Sequence, residues 1–326
     1  EKRNYNMKNA KLTIIIVTWN SKNYIYDALS SIMDQTYKDF LIMIIDNNSI
    51  DGTVNIIRNN YHNAYIIQNF KNTGFSKANN QGIKLSSGEY VLVMNPDVML
   101  DKNFLSTLIS FADKHSEAGS FTGKIYKLIR EKVSMEERSD ELHYNSKSDI
   151  IDAAGLIMRK NRIAVNRGEG ERDSEAFAQN EKIFGAPGCL ALYRRKALMD
   201  IENHNEFFDE TFFAYKEDVD LSWRLNIHGW DSWYIPGAVA YHNRSFPATG
   251  GKNITQRIAA RKKIPKMLRY LSFRNQYLMM IKNDKAANML AHFPHIFTKI
   301  AKDFLSLTIE PFQWKNIVEI PKLFLV

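Results

Sequence analysis

The segment FFDETFFAYKEDVDLSWR, residues 207–224, holds five carboxylates among six aromatic side chains. A solvated helix face would not carry so many large aromatic residues. An ordinary buried face would hold few acids, because a buried carboxylate loses its hydration. The composition of this segment therefore indicates a functional site.

Polar residues follow three predicted strands, where ligands of open α/β sheets bind. A carboxylate there can accept hydrogen bonds from a nucleobase or ribose, which suits Asp46, or reach a diphosphate through a cation, which suits Asp97. The alternative is that Asp46 and Asp51 only form a turn and a helix cap. These strand-end residues are Thr18, Trp19, Asn20, Asp46, Asn48, Asn95 and Asp97.

Residues 69–83, between the strand ends at Asn48 and Asn95, form a polar stretch that leads into a predicted helix carrying Asn79. Asn72 and Gly74 precede this helix. Gly74 permits a backbone turn that other residues resist, and the first amides of a helix can face an anion. The stretch is therefore a candidate phosphate contact.

The elements that must position these residues alternate along the chain. Short β-branched runs predict buried parallel strands, and helical spacing of apolar residues predicts the helices between them. Strands and helices in this alternation predict an α/β fold with a doubly wound, mostly parallel sheet flanked by helices. The strands are predicted at 12–20, 41–49, 64–69 and 90–97, and the helices at 24–35, 53–60 and 76–86.

Composition narrows the class of protein. The 326 residues are 44% hydrophobic and include one cysteine, which excludes an intrachain disulfide and is predicted to be a buried, inert thiol at Cys189. No apolar run approaches the roughly eighteen residues of a membrane span, and the first residues lack the apolar core of a signal peptide. We expect a cytoplasmic protein, either free or peripheral on the cytoplasmic face of the membrane.

The net charge of +8 is concentrated at the C-terminal end. Residues 252–326 carry 14 Lys and Arg against 4 Asp and Glu, whereas residues 1–251 carry 30 against 32. A nucleic-acid enzyme would spread basic residues along its main domain, so nucleic acid is not expected as a partner. The segments 264–282 and 288–310 predict basic amphipathic helices, which either bind an anionic membrane or a partner subunit, or pack on the main domain.

Seven motifs occur in order along the chain: TWN (18–20), DNNSIDGT (46–53), NTGFSKANNQGI (72–83), NPD (95–97), GAPGCLALYRRKAL (185–198), FFAYKEDVDLSWR (212–224) and YHNRS (241–245). Together they resemble family 2 glycosyltransferases of the GT-A fold, and most closely the bacterial rhamnosyltransferases of cell-surface polysaccharide synthesis. The resemblance implies a catalytic domain at 11–250 with a nucleotide-binding half, 11–100, and an acceptor half, 101–250. The residues outside it predict a polar leader at 1–10 and a basic helical extension at 251–326.

The resemblance also implies roles for residues. Asp218 would be the general base, and Glu217 would hold the acceptor or position the base. Asp97 and His242 would bind Mg²⁺ or Mn²⁺, although Asn95 stands where the family often has another acid. The nucleotide-sugar would contact Thr18, Trp19, Asn20, Asp46, Asn48, Asn72, Gly74, Phe75, Asn79, Asn95 and Asp97, and the donor and acceptor pocket would include Ala186, Pro187, Gly188, Tyr215 and Arg244.

Two further side chains and two loops complete the expectations. Asp220 and Arg224, four residues apart, should form a structural ion pair on the helix. The charged stretch 130–149 is predicted to be an exposed loop. The small-residue stretch 244–252 is predicted to close over the donor, with Lys252 near the diphosphate.

The implied activity is inverting, metal-dependent transfer of L-rhamnose from dTDP-rhamnose to a saccharide or a polyprenyl-diphosphate-linked saccharide. A family 2 enzyme that uses a UDP-sugar of galactofuranose, glucose or N-acetylglucosamine is the main alternative. A non-catalytic scaffold on the membrane surface is a third. A sugar-nucleotide nucleotidyltransferase is not favoured, because the basic glycine-rich loop of that class is missing after the first strand. The inner membrane surface and a second copy of the chain are possible partners.

Overall fold

The computed structural model describes residues 10–129, 146–244, 259 and 261–324. Its strands are β1 (Leu12–Thr18), β2 (Phe40–Asp46), β3 (Tyr65–Gln68), β4 (Tyr90–Met94), β5 (Val98–Leu100), β6 (Ala118–Ile129), β7 (Ser146–Ala153), β8 (Leu156–Met158), β9 (Ala164–Asn166), β10 (Glu181–Ile183), β11 (Leu190–Arg194) and β12 (Asp231–His242). Its helices are α1 (Ile25–Met33), α2 (Thr53–Asn60), α3 (Phe75–Leu85), α4 (Phe104–Ala112), α5 (Arg195–Asp200), α6 (Glu217–Ile227), α7 (Lys266–Asn283), α8 (Ala286–Ala291), α9 (Phe293–Ile309) and α10 (Trp314–Phe324). The strands and helices predicted before residue 100 are confirmed.

One large sheet runs through the molecule in the order β10-β12-β6-β11-β4-β1-β2-β3. The strands β4, β1, β2 and β3 are parallel to their neighbours in this half, whereas β11 joins β4 and β6 in antiparallel pairing. In the register of β1 and β2, Thr18 lies beside Asp46. The two strand ends that carry predicted site residues therefore lie side by side.

Two apolar layers cover the faces of this sheet, because its buried strands direct alternate side chains to opposite sides. One layer includes Ile14 and Ile16 with apolar residues of α1 and α4. The other includes Ile15 with residues of α3, α5 and α6. Helices thus flank both faces, and the predicted doubly wound architecture is confirmed.

The C-terminal helices pack on the segment 101–250 through a third apolar cluster. Leu278 and Met279 of α7 contact Phe212 and Val219 there, and Ile296 of α9 joins them. The helices predicted in this region are confirmed, and their inner faces contact the rest of the protein. Within the described ranges, none of the helices combines the length and the apolar character that crossing a bilayer requires.

The charged stretch 130–149 departs from the prediction of a loop at its C-terminal end. Residues 146–149 form the first part of β7, where Lys147 pairs with Leu128 of β6. β11 pairs with β6 only at Ser120 and Phe121, and β7 pairs with the later part of β6, so the backbone groups of these residues are satisfied despite the polar sequence. Residues 130–145, and residues 245–252 of the predicted closing loop with Lys252, lie outside the described residues.

Candidate active site

Asp46 organises the loops at the ends of β1 and β2. Its side chain is fully buried and accepts hydrogen bonds from Thr18 Oγ1 at 2.8 Å, Ser49 Oγ at 2.6 Å and the Ser49 amide at 3.0 Å. With three donors from the protein, the carboxylate has little capacity left for a ligand. The exposed residues on these loops include Trp19, Asn20 and Asn48.

Asn47, which the sequence analysis passed over, connects the loop after β2 to the loop before α3. Its Nδ2 donates to the Gly74 carbonyl at 3.1 Å, and its Oδ1 accepts from Asn69 at 2.9 Å and from Thr73 Oγ1 at 3.0 Å. The Asn72 side chain in turn accepts from the Gly74 amide at 2.9 Å. The position of Asn47 inside the DNNS motif was the sequence signal for this role.

The start of α3 meets the acid-rich segment directly. The Phe75 amide donates to the Phe213 carbonyl at 2.6 Å. This first amide of α3 is therefore occupied by the protein itself, whereas the sequence had suggested an amide open to an anion. Gly74 has φ +87°, and a Cβ built there would lie 2.6 Å from the Phe213 carbonyl oxygen, so only glycine fits this contact. Asn79 is fully buried and donates to the Phe75 carbonyl at 3.0 Å.

The segment that leads into α6 has an unusual backbone. Phe213, Tyr215 and Lys216 all have positive φ, at 62°, 71° and 70°. Each such non-glycine residue costs on the order of 1–3 kcal/mol and persists only where the surroundings hold it in place. The turn ends at Lys216, and Glu217 and Asp218 form the first positions of the helix.

Helix α7 holds this strained segment. The Asn275 side-chain amide lies 2.8 Å from the Phe212 carbonyl, 2.9 Å from that of Ala214 and 2.7 Å from that of Tyr215. Arg274 donates to the Thr211 carbonyl at 2.6 Å. No local pattern signals these contacts, because they join residues about sixty positions apart.

Glu217 and Asp218 have different surroundings. Glu217 is 7% exposed, and its Oε2 has no hydrogen-bond partner. Burial, assisted by the negative charge of Asp218, raises the pKa of Glu217 to about 8. Asp218 is more accessible and accepts a hydrogen bond from the Gly188 amide at 2.8 Å. A neutral Glu217 therefore lies beside an accessible Asp218.

The turn at 186–189 joins the acid pair to the end of β4. Ala186 and Pro187 are buried, and a Cβ at Gly188 would lie 3.1 Å from the Asp218 Cβ. The next carbonyl, that of Cys189, accepts a hydrogen bond from the Asn95 amide at 2.8 Å. The predicted base and the predicted metal motif are therefore linked through one tight turn.

Asp97 and His242 face each other across the paired strands β5 and β12. Their Oδ1 and Nε2 atoms are 3.4 Å apart, and this Asp97 oxygen is buried without a hydrogen-bond partner. His242 Nδ1 lies 2.8 Å from Asp152 Oδ2. A carboxylate that orients a histidine in this way is the usual outer support of a metal-binding imidazole. The pair therefore fits a divalent cation held by Asp97 Oδ1 and His242 Nε2.

Two neighbours of His242 change earlier expectations. Ligand atoms of Asp152, Cys189 and His242 lie within 4.8 Å of one another, and Cys189 is half-buried where the sequence predicts a buried thiol. Asp152 is also paired with Arg244, whose Nε is 3.1 Å from Asp152 Oδ1. This pairing makes Asp152 a poor direct ligand, and it leaves Arg244 with its charge already balanced by Asp152 and Glu169.

Comparison with known proteins identifies the family. Residues 13–202 match the model described as "Glycosyl transferase family 2". The chain belongs to this family. The match runs from β1 through the turn at 186–189, and the acid pair and His242 lie beyond its end.

Curated relatives of this family 2 chain act on different sugars. An N-acetylglucosaminyl-diphospho-decaprenol L-rhamnosyltransferase of Mycobacterium tuberculosis is 25% identical over 270 residues, which are 77% of this chain and 81% of the relative. A poly-beta-1,6-N-acetyl-D-glucosamine synthase of Staphylococcus epidermidis is 25% identical over 71% of this chain. The chain spans only about half of that synthase, 49% of its length.

Solved structures agree in fold. Residues 1–349 of S. aureus TarS superpose with a TM-score of 0.55 at 17% identity, over 95% of this chain and 78% of that one. GalNAc-T7 with UDP, GalNAc and Mn²⁺ gives a TM-score of 0.57 at 11% identity, over 93% and 58% of the two chains. The GT-A fold expected from the sequence is confirmed.

Hydrogen bonds link several predicted site residues of the family 2 chain: Thr18 to Asp46, the Asn95 amide to the Cys189 carbonyl, and the Gly188 amide to Asp218. Asn79 is buried, and Tyr215 contributes to the strained turn and is 39% exposed. The predicted Asp220–Arg224 pair is present at 2.9 Å. Among the residues that were missed, Asp152 had a signal, since it is an acid inside the apolar run IIDAAG at 150–155.

Proposed function

We propose that the protein is an inverting glycosyltransferase that moves L-rhamnose from dTDP-rhamnose to a saccharide or lipid-linked saccharide. The observation that carries the proposal is the hydrogen bond from the Gly188 amide to Asp218. It places an accessible carboxylate on the turn that also contacts Asn95, two residues from Asp97. A base for the acceptor and a site for the donor diphosphate are therefore next to each other.

In this proposal Asp218 takes the proton from the acceptor hydroxyl as that oxygen attacks the anomeric carbon. The bond from the anomeric carbon to the diphosphate oxygen breaks, and the nucleoside diphosphate leaves with the electron pair. Because the attack comes from the side opposite the leaving group, the configuration inverts. The Gly188 amide orients the Asp218 carboxylate throughout. Because Glu217 is neutral, Asp218 has no second negative charge beside it.

Asp97 and His242 would hold Mg²⁺ or Mn²⁺, which supplies positive charge for the diphosphate. Asp152 would keep the His242 ring oriented, and Arg244 would hold Asp152 in place. Trp19, Asn20 and Asn48 offer exposed side chains for the nucleotide at the ends of β1 and β2.

The mycobacterial relative supports rhamnose as the sugar and a polyprenyl-diphosphate-linked saccharide as the acceptor, since it aligns over most of both chains. Such an acceptor would bring the enzyme to the cytoplasmic face of the membrane. A UDP-linked N-acetylglucosamine donor is the second candidate. It is favoured by the synthase relatives and by the TarS structure with UDP-GlcNAc, which resembles this chain with a TM-score of 0.52.

The test combines a donor panel with one variant. We expect transfer or slow hydrolysis of dTDP-rhamnose, and a loss of about 10²–10⁴-fold in turnover for Asp218→Asn. Nucleotide binding, followed as a rise in melting temperature with dTDP, should be unchanged in the variant. Turnover of UDP-N-acetylglucosamine alone would select the second donor, and full activity of Asp218→Asn would refute the assigned base.

A further inference from the structure

The outer faces of α9 and α10 carry an unusual number of exposed apolar side chains. In α9 the side chains of Phe293, Phe297 and Phe304 are each 55–56% exposed, and Leu305 is 68% exposed. A neighbouring side of α9 is also apolar, but Ile296 and Leu307 there are buried against the protein. Large exposed apolar surfaces of this kind mark an interaction site.

Helix α10 has the same two-sided character. Ile320 is buried at the inner side, whereas Trp314, Ile317 and Val318 are 41–62% exposed. Their spacing places them on one stripe of the helix. Lys315 and Lys322, both exposed, border this stripe. An exposed tryptophan among aliphatic residues, with lysines at the border, is typical of helices that lie in a membrane interface.

The acidic and basic side chains of these helices have different surroundings. In residues 285–324, which the structure describes, the three acids are all directed toward protein partners. Asp303 accepts from Tyr277, Glu310 pairs with Arg261 and Arg269, and Glu319 accepts from Tyr270. The exposed charged residues there are Lys285, Lys302, Lys315 and Lys322. The outer surface therefore presents apolar and positive groups, and each of the three acids is held by a protein donor.

A basic cleft adjoins this surface. It has a volume of about 520 Å³ and is lined by Arg261, Lys262, Lys266 and Arg269 together with Ile309 and Phe312. Ile309 is the last residue of α9 and is itself 57% exposed. The cleft contains one carboxylate, Glu310, against four cations. A phosphate group beside an apolar chain matches this lining.

We propose that the outer faces of α9 and α10 and the basic cleft form a docking surface for an anionic lipid bilayer. The apolar side chains enter the interface between headgroups and acyl chains, and the lysines contact lipid phosphates. A second copy of this chain would bring two positive surfaces together, and an acidic polymer would leave the phenylalanines in water. The surface extends the proposed function by giving the enzyme its own contact with the membrane.

The experiment is flotation of the full chain with phosphatidylcholine vesicles that contain or lack phosphatidylglycerol. We expect binding only to the anionic vesicles and weaker binding at high salt, because the lysine contacts are screened. The pair Lys315→Glu and Lys322→Glu should weaken binding more than about tenfold, since each lysine near a charged membrane contributes about a fivefold factor. The pair Phe297→Ser and Phe304→Ser should weaken it as well.

Control variants remove exposed apolar side chains elsewhere. Met199 and Ile157 are 52% and 42% exposed and lie outside the docking surface, so Met199→Ser with Ile157→Ser should leave vesicle binding unchanged. The melting temperature of every variant in solution, with and without dTDP, shows that folding and nucleotide binding persist. Because flotation needs neither donor nor acceptor, its result does not depend on the proposed reaction.

Three outcomes would overturn the proposal. They are equal binding to neutral and anionic vesicles, no binding to either, and equal losses in the docking and control variants. Light scattering tests whether the surface binds a second copy of the chain instead. If Phe297→Ser with Phe304→Ser converts a dimer to a monomer without changing flotation, the surface joins two copies of the chain.

Discussion

Two regions of the candidate site contain non-glycine residues with positive φ, and the two regions stabilise this conformation differently. In the loops after β1 and β2 the residues are Asn20 and Asn48, whose side chains tolerate this conformation. In the segment before the acid pair the residues with positive φ are Phe213, Tyr215 and Lys216, whose side chains disfavour this conformation. The first region uses residues suited to their conformation, whereas the second is held from outside by Asn275.

The difference concerns where the stabilising groups lie in the chain. Asp46 and Ser49 fix their own loop and the neighbouring end of β1. The strained segment depends on a helix about sixty residues later. Damage to the first region should therefore affect nucleotide affinity, and damage to the second should affect turnover.

The largest effect is expected where the two regions touch. Gly74→Ala would place a Cβ 2.6 Å from the backbone oxygen of Phe213, at a φ of +87°. Strain and clash together should cost about 3 kcal/mol or more, and lower the melting temperature on the order of 5–10 °C. Gly229→Ala is the control, since it has φ +83° but no neighbour within 4 Å. Equal losses in the two variants would show that the contact with Phe213 is unimportant.

Asn275→Ala tests the external support of the acid pair. We expect kcat to fall about ten- to hundredfold, because a small displacement of a catalytic group has effects of this size. The affinity for dTDP should stay the same. Asn275→Asp keeps the volume but loses the amide donor, and should be no more active than Asn275→Ala.

The matched control for Asn275 is its neighbour. Gln276 is buried in the same helix, but its amide donates to the Arg162 carbonyl at 2.6 Å and not to the acid segment. Gln276→Ala should therefore reduce stability with little change in kcat. If both variants lower kcat equally, the loss reflects the stability of α7 and not the position of Asp218.

Glu217→Gln tests the protonation of the acid pair. Because the pKa of Glu217 is raised in the folded state, the folded protein holds a proton that the unfolded chain releases. The free energy of unfolding should then fall as pH rises from about 4.5 to about 8, and level off above that. The variant cannot titrate there, so its melting temperature should fall a few degrees less over the same range than that of the wild type. The control Glu175→Gln changes an exposed carboxyl, so its melting temperature should change with pH as that of the wild type does. If Glu217→Gln also behaved like the wild type, a raised pKa of Glu217 would be excluded.

The smallest effect is expected in the locally stabilised region. Ser49→Ala removes a hydrogen bond to Asp46 and leaves the Asn20 amide without its acceptor at 2.9 Å. One such bond contributes about 1 kcal/mol, so affinity for dTDP should fall about fivefold while kcat at saturation is unchanged. A loss confined to kcat would contradict the division between the two regions.

Sequence reasoning located the strand ends and the acid pair, because alternating apolar runs and polar turns are local patterns. It also selected Asp97 and His242 through the family resemblance, and the structure brings them to 3.4 Å. It assigned Asp46 to the ligand, whereas the structure surrounds Asp46 with protein donors. That distinction depends on which groups fill the space around a side chain, and a pattern along the chain does not contain it.

The sequence by itself determined the α/β alternation, the polar loops at one edge of the sheet and the basic C-terminal end, since each follows from residue type and spacing. Only the tertiary structure decided that Asn275 supports the acid segment, that Asp152 orients His242, and that the acids of the last helices pair with protein donors while Lys302, Lys315 and Lys322 remain exposed. The physical reason is that a hydrogen bond or a shielded charge depends on distance in space, and residues far apart in the chain become neighbours only when the apolar layers pack.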